Sequence, residues 1–287
     1  MSVIAVAGAT GAQGGATARA LLAAGHRVRA LTRSPTSSAA TALRDLGAEV
    51  HRADFEDRTS LAAALTGADA LFAVTTPFEA DTSAEVRQGG YLVDEAVSAG
   101  VGHIVFTSAA HADRRTGIPH YDSKFAIERH LRASGVPWTV IAPAAFMDNW
   151  SSHWTLEGLR EDVFGWPMPP GTPLALIPAE DIGAFAALAL TRPGEFTGRR
   201  IDIASDALTP EQIAQILARA TGRSVTHRRT PLAAVRAHSS DLAAMFAYFT
   251  SPGLDVDTAA LRRAHPEVGW HSFADWAAAQ DWRTLLA

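Results

Sequence analysis

Four glycines stand close together near the amino terminus, at Gly8, Gly11, Gly14 and Gly15. The apolar run Val3-Ile4-Ala5-Val6-Ala7 precedes them, and the alanine- and leucine-rich stretch from Ala16 to Ala24 follows, ending at Gly25. An apolar run of this length bounded by glycine reads as a buried strand. The stretch after it is built from good helix formers and closed by a glycine suited to a C-terminal cap. Strand, glycine turn and helix in that order are the context of a dinucleotide-binding crossover. Gly8 then permits the tight turn, Gly11 lets the backbone approach a pyrophosphate, and Gly14 lets the helix pack against the strand. The free N–H groups of the first helical turn face the anion. Thr10, Ala12 and Gln13 share the turn and join the glycines as candidate cofactor contacts.

The same rhythm continues. Strands are expected at Arg27 to Thr32, around Val50, and at Ala70 to Val74, His103 to Phe106 and Trp138 to Ile141. Helices are expected at Leu61 to Leu65, Ser83 to Ala99 and Pro119 to Ser134. Apolar strands alternating with helices predict an α/β fold, a doubly wound parallel sheet covered on both faces. Past Pro143 the alternation breaks. The segment from Trp150 to Pro178 holds three tryptophans and many prolines and reads as irregular. A helix from Pro178 to about Leu190, a strand at Arg200 to Ala204 and a helix beginning Thr209-Pro210-Glu211-Gln212 come next. That last start carries Thr as N-cap, Pro at the first position and Gln at the third. The expected division is a dinucleotide-binding domain over residues 1–150 and a smaller α/β substrate lobe over 151–287, with strands returning to the first.

Composition narrows the function classes. The chain is 47% hydrophobic, carries a formal net charge of −5 and contains no cysteine. Disulfides, thiol nucleophiles and Cys-ligated metal sites are excluded. The charge gives no support for nucleic-acid binding, and Thr226-His227-Arg228-Arg229-Thr230 is too short a basic patch to supply it. No segment reaches the roughly 18 apolar residues of a membrane span, and the amino terminus lacks the basic start of a signal peptide. The eleven histidines form no ligand motif, so no metal is expected. A cytoplasmic protein acting on a small molecule is the expectation, with oligomeric state, homodimer included, left open.

The residue after the second strand separates the two nicotinamide nucleotides. An acid there would hold the 2′-hydroxyl of NAD, whereas this chain has Arg33 and no acid from Thr32 to Ser38. A guanidinium fork suits a 2′-phosphate, so NADP(H) is the expected cofactor. Ligands of an open parallel sheet bind outside the carboxyl ends of its strands. Thr75-Thr76-Pro77, Ser108 and the run Pro143 to Phe146 end the fourth, fifth and sixth strands there.

The spacing Gly8-Ala9-Thr10-Gly11-Ala12-Gln13-Gly14 resembles the NmrA-like group of atypical short-chain dehydrogenase/reductases. The resemblance continues through His120 to Trp150, Ile177 to Leu190 and Gly253 to Ala278, and so covers nearly the whole chain. It implies that Asp54 lies beside the adenine and that Asn149 lies toward the nicotinamide. Reductases of the wider superfamily pair Tyr-x-x-x-Lys with an upstream Ser. Lys124 matches the lysine and Ser108 is the candidate serine, but the residue four before Lys124 is His120, and Tyr121 is three before it. Both offsets lie on the lysine's side of a helix, so either could give the proton that a developing alkoxide needs. Two functions are therefore expected. One is NADPH-dependent hydride transfer to a small apolar carbonyl, enone or quinone, beneath an aromatic roof from Phe146 to Trp166. The other is an NADP(H)-sensing binding protein that passes cofactor state to a protein partner without turnover. A sugar-nucleotide epimerase is the weaker third.

Overall fold

Five apolar residues cannot be left in water, and the protein buries them in the middle of a sheet. Residues 2–287 of the computed structural model are described here. β1 (Val3–Val6) is buried along its whole length and runs through the glycine turn into α1 (Ala12–Ala23). Next come β2 (Arg27–Thr32), α2 (Ser38–Asp45), β3 (Glu49–Arg52), α3 (Arg58–Leu65) and β4 (Ala70–Ala73). α4 (Thr82–Ser98), β5 (His103–Thr107), α5 (Pro119–Ala133) and β6 (Trp138–Pro143) complete the alternation. The chain continues through β7 (Ala145–Phe146), α6 (His153–Arg160), β8 (Val163–Trp166), β9 (Leu174–Ile177) and α7 (Ala179–Thr191). It then forms α8 (Pro193–Phe196), β10 (Arg200–Ile203), β11 (Asp206–Leu208), α9 (Pro210–Thr221) and β12 (Thr226–Arg229), with further short helices beyond.

Two compact units share this chain. The first runs through Arg114 and takes in Pro119–Ala142 and Ile182–Asp202. Its seven-stranded sheet has the order β10-β6-β5-β4-β1-β2-β3, with the ladders around β1 parallel. The strand order steps outward from β1 in both directions, so the carboxyl ends of β1, β2 and β4 stand side by side. β1, β4 and β5 are buried throughout, as a sheet covered on both faces requires. β3 departs from that pattern: as an edge strand it keeps Glu49 and Arg52 exposed.

The second unit comprises Arg115–Ile118, Pro143–Asp181 and Ile203–Ala287. It holds a three-stranded sheet, β11-β9-β7, and the parallel pair β12 and β8. The segment from Trp150 to Pro178 is thus more ordered than its composition suggests, because α6, β8 and β9 all fall within it. Thr226 to Arg229 is a strand laid against β8. Trp150 is completely buried, with Trp166 at 5.1 Å and Phe273 edge-on at 5.5 Å between ring centroids. It is core rather than the roof of a pocket, and Trp154 is 72% exposed.

Candidate functional site

The glycine turn is constrained by its own backbone. Gly8 has φ +58°, a conformation L side chains rarely adopt, and a Cβ there would meet the Val74 side chain at 2.8 Å. A Cβ on Gly14 would lie 2.3 Å from the Gly8 carbonyl oxygen, so α1 packs directly against the strand end. Gly11 is the N-cap of α1 and brings no side-chain cap to the first-turn N–H groups. A helix start that carries no capping oxygen, with glycine at positions 8 and 11 of the turn before it, fits a pyrophosphate group. Thr10 and Ala12 are exposed on this turn, and Thr10 Oγ1 lies 3.2 Å from Thr32 Oγ1, which ties the loop after β1 to the end of β2. Gln13 is fixed from the other side, its Oε1 accepting from Thr107 Oγ1 at 2.6 Å.

Arg33 follows β2 directly and is exposed, with its Nη2 2.8 Å from Glu79 Oε1. Glu79 belongs to the segment between β4 and α4, and no local pattern announced it. Asp54 follows β3 and folds into its own turn, Oδ1 accepting from the Glu56 N–H at 3.0 Å. Capping of α3 falls to Asp57, whose side chain accepts from the Ser60 N–H.

The loop after β4 leads into a buried ionic cluster. Lys124, on α5, has only 11% of its side chain exposed, and its Nζ lies 2.6 Å from Glu85 Oε1. The same ammonium donates to the Thr75 carbonyl oxygen and to Thr75 Oγ1 at 3.2 Å. Glu85, on α4, is fully buried. It also accepts from Thr75 Oγ1 at 2.9 Å and from Ser123 Oγ. Burial holds the Lys124 pKa below the ordinary lysine value, and the Glu85 charge offsets this in part. A signal for Glu85 did exist: the buried face of α4 reads Ala84, Glu85, Gly89, Leu92, Val93, Ala96, an acid on an otherwise apolar stripe.

His120 and Tyr121 occupy the first turn of α5 and are both buried, with rings edge-on at 4.9 Å. Phe78, from the loop after β4, packs over His120 at 5.6 Å. Pro77 is buried beside it and Thr76 exposed. Ser108 is engaged elsewhere. Its Oγ donates to Glu128 at 2.6 Å, and that buried carboxylate also takes Arg132 at 2.9 Å and Arg200 Nε at 3.1 Å. Burial raises the Glu128 pKa, against the pull of Arg200, Ser108 and Arg132.

Thr75, Lys124, His120, Tyr121 and the glycine turn therefore gather on the first unit, together with Arg33 and Thr10. Pro143, Phe146 and Asn149 belong to the second. There Pro143 ends β6, Phe146 lies in β7, and Asn149 sits in a short 3₁₀ turn where its carbonyl accepts from Ser152 Oγ at 2.6 Å. Among the described residues no group of three or more His, Asp or Glu could hold a metal, and no helix is long and apolar enough to cross a membrane.

Known proteins carry the same framework. The (4-alkanoyl-5-oxo-2,5-dihydrofuran-3-yl)methyl phosphate reductase of Streptomyces griseus is 32% identical over 82% of this chain and 79% of its own. The nitrogen metabolite repression protein nmrA of Emericella nidulans is 28% identical over 79% of this chain and 68% of its own. The crystal structure of the Escherichia coli NADPH-dependent quinone oxidoreductase QOR2, complexed with NADPH, is 25% identical. It superposes with a TM-score of 0.79 over 97% of this chain and 99% of that one. The model of the NmrA-like family matches residues 1–277, and the chain belongs to that family.

Proposed function

We propose that this protein is an NADPH-dependent reductase of a small apolar carbonyl, enone or quinone. The observation that carries the reading is Lys124: an ammonium almost wholly removed from water, fixed between Glu85 and Thr75 at the carboxyl edge of the sheet. A buried charge with specific partners at a binding edge is a mark of a functional position. The reductase relatives support the same chemistry. In this reading the turn from Gly8 to Gly14 receives the pyrophosphate through the first N–H groups of α1, and Arg33 takes the 2′-phosphate. Asp54 lies toward the adenine, while Thr75, Thr76 and Pro77 line the ribose. The bound nucleotide supplies a hydride. Lys124 orients the ribose and steadies negative charge growing on the acceptor oxygen, and His120 or Tyr121 supplies the proton. Ser108 keeps its hydroxyl on Glu128 rather than on the acceptor.

The test is NADPH oxidation against a panel of quinones, enals and ketones. Turnover with one class, reduced at least about a hundredfold by Lys124→Ala, is the expected outcome for loss of a group that supports proton transfer. NADPH binding without turnover on any class would overturn the enzyme and leave the second reading. That reading is a sensor of NADP(H) state that hands its signal to a protein partner. One observation favours it: the Lys124 ammonium already meets Glu85 Oε1, the Thr75 carbonyl and Thr75 Oγ1, as many acceptors as it has protons. Capture of a partner that changes between NADP⁺ and NADPH is its measurement.

A further inference from the structure

Arg33 and Glu79 are 46 residues apart in sequence and 2.8 Å apart in space. Arg33 is the first residue past β2, and Glu79 lies in the short segment between β4 and α4. β2 and β4 are the two neighbours of β1 in the sheet. The ion pair therefore joins the loops on either side of the glycine turn. The residue before Glu79 reaches the other way, Phe78 packing on His120 at the start of α5. One short segment thus touches both flanks of the carboxyl edge where a nucleotide would enter.

The chemistry of the pair follows from what each group prefers. A guanidinium offers the same N–H fork to a carboxylate and to a phosphate. A carboxylate already on Arg33 takes donors that a 2′-phosphate would use and repels the phosphate's charge. The β2 loop itself carries no acid from Thr32 to Ser38. Glu79 brings one to that place from a distant loop.

We propose that Glu79 is a specificity-determining residue of the nucleotide site: it competes with the 2′-phosphate for Arg33 and so narrows the preference for NADP(H) over NAD(H). This rests on the reading that the glycine turn binds a nicotinamide nucleotide with Arg33 toward its 2′-phosphate. The two side chains are 61% and 57% exposed, so the pair is well solvated and screened. A phosphate dianion can displace such a partner, and the competition is correspondingly modest.

Calorimetric titration of NADPH and NADH into the wild-type protein, Glu79→Gln, Arg33→Ala and the double variant tests this. Glu79→Gln should lower the Kd for NADPH by about two- to fivefold, the span of an exposed ion pair. It should not lower the Kd for NADH, and the gain should vanish in the double variant. An unchanged NADPH Kd in Glu79→Gln, or an equal gain for NADH, overturns the proposal while the nucleotide reading stands. Failure of the wild-type protein to take up either nucleotide overturns the nucleotide reading itself. Failure of Arg33→Ala to weaken NADPH overturns the assignment of Arg33. Both side chains are exposed, and circular dichroism verifies that each variant retains its fold.

Discussion

Lys124 Nζ lies 2.6 Å from a carboxylate that the protein buries completely. Two opposite charges out of water are tolerable together, but neither is tolerable alone. Glu85→Ala leaves an uncompensated ammonium and should cost about 3–5 kcal/mol in urea-induced unfolding. Glu85→Ala with Lys124→Met should recover most of that loss, because no buried charge remains. A double variant as unstable as Glu85→Ala would show that the carboxylate acts through Thr75 and Ser123 rather than through the lysine. At this scale the sequence was partly legible. The glycines stand in a local pattern whose spacing is itself the signal, whereas Lys124 stood out only through the family resemblance, with His120 four residues before it where the wider superfamily has tyrosine. Glu85 broke an apolar stripe, a signal open to reading but easily passed over. Glu79 left no trace, because its partner Arg33 follows a different strand and only the sheet order unites them.

Elements were legible where one local rule decides them. β1 and α1 follow from an apolar run and glycine placement. α9 begins with the expected capping box, in which Thr209 and Gln212 exchange hydrogen bonds and Gly222 closes the helix at φ +68°. From Trp150 to Pro178 tertiary pairing overrode composition, and strands formed among prolines and tryptophans because β8 found β12 and β9 found β11. The start of α7 carries a further pairing that spans distant parts of the chain. Asp181 is fully buried, with Oδ1 2.6 Å from His271 Nδ1, and its Oδ2 accepts the His271 N–H at 2.9 Å. The hydrogen bond to Asp181, with its charge, raises the His271 pKa above the ordinary value, against some desolvation. A raised folded pKa gives stability that is fully present below the unfolded value, about 6.5, and lost as pH climbs through the folded one. His271→Gln should therefore lower the thermal midpoint more at pH 6 than at pH 9. An equal loss at both pH values would remove the imidazolium from the account.

For the molecule as a whole, nucleotide binding and folding are linked. The proposed site, with the glycine turn, Arg33 and Lys124, needs β1, β2, β4 and α5 folded together, so the unfolded chain offers no equivalent. NADPH at a hundred times its Kd should then add about 2.7 kcal/mol to unfolding free energy, read from urea curves with and without nucleotide. Gly14→Ala should abolish that gain, because the added methyl group collides with the Gly8 carbonyl.

One edge of the large sheet is β10, whose Arg200 meets the buried Glu128 of α5. A growing polypeptide that has emerged only as far as β6 would expose a long unpaired strand and an acid in the core with its principal counter-charge still inside the ribosome. Such a nascent chain is adhesive and short of its final balance until some sixty residues more have appeared. Cutting or fusing the gene just beyond β6 would fix that transient state permanently, yielding insoluble material in place of a portable nucleotide-binding module.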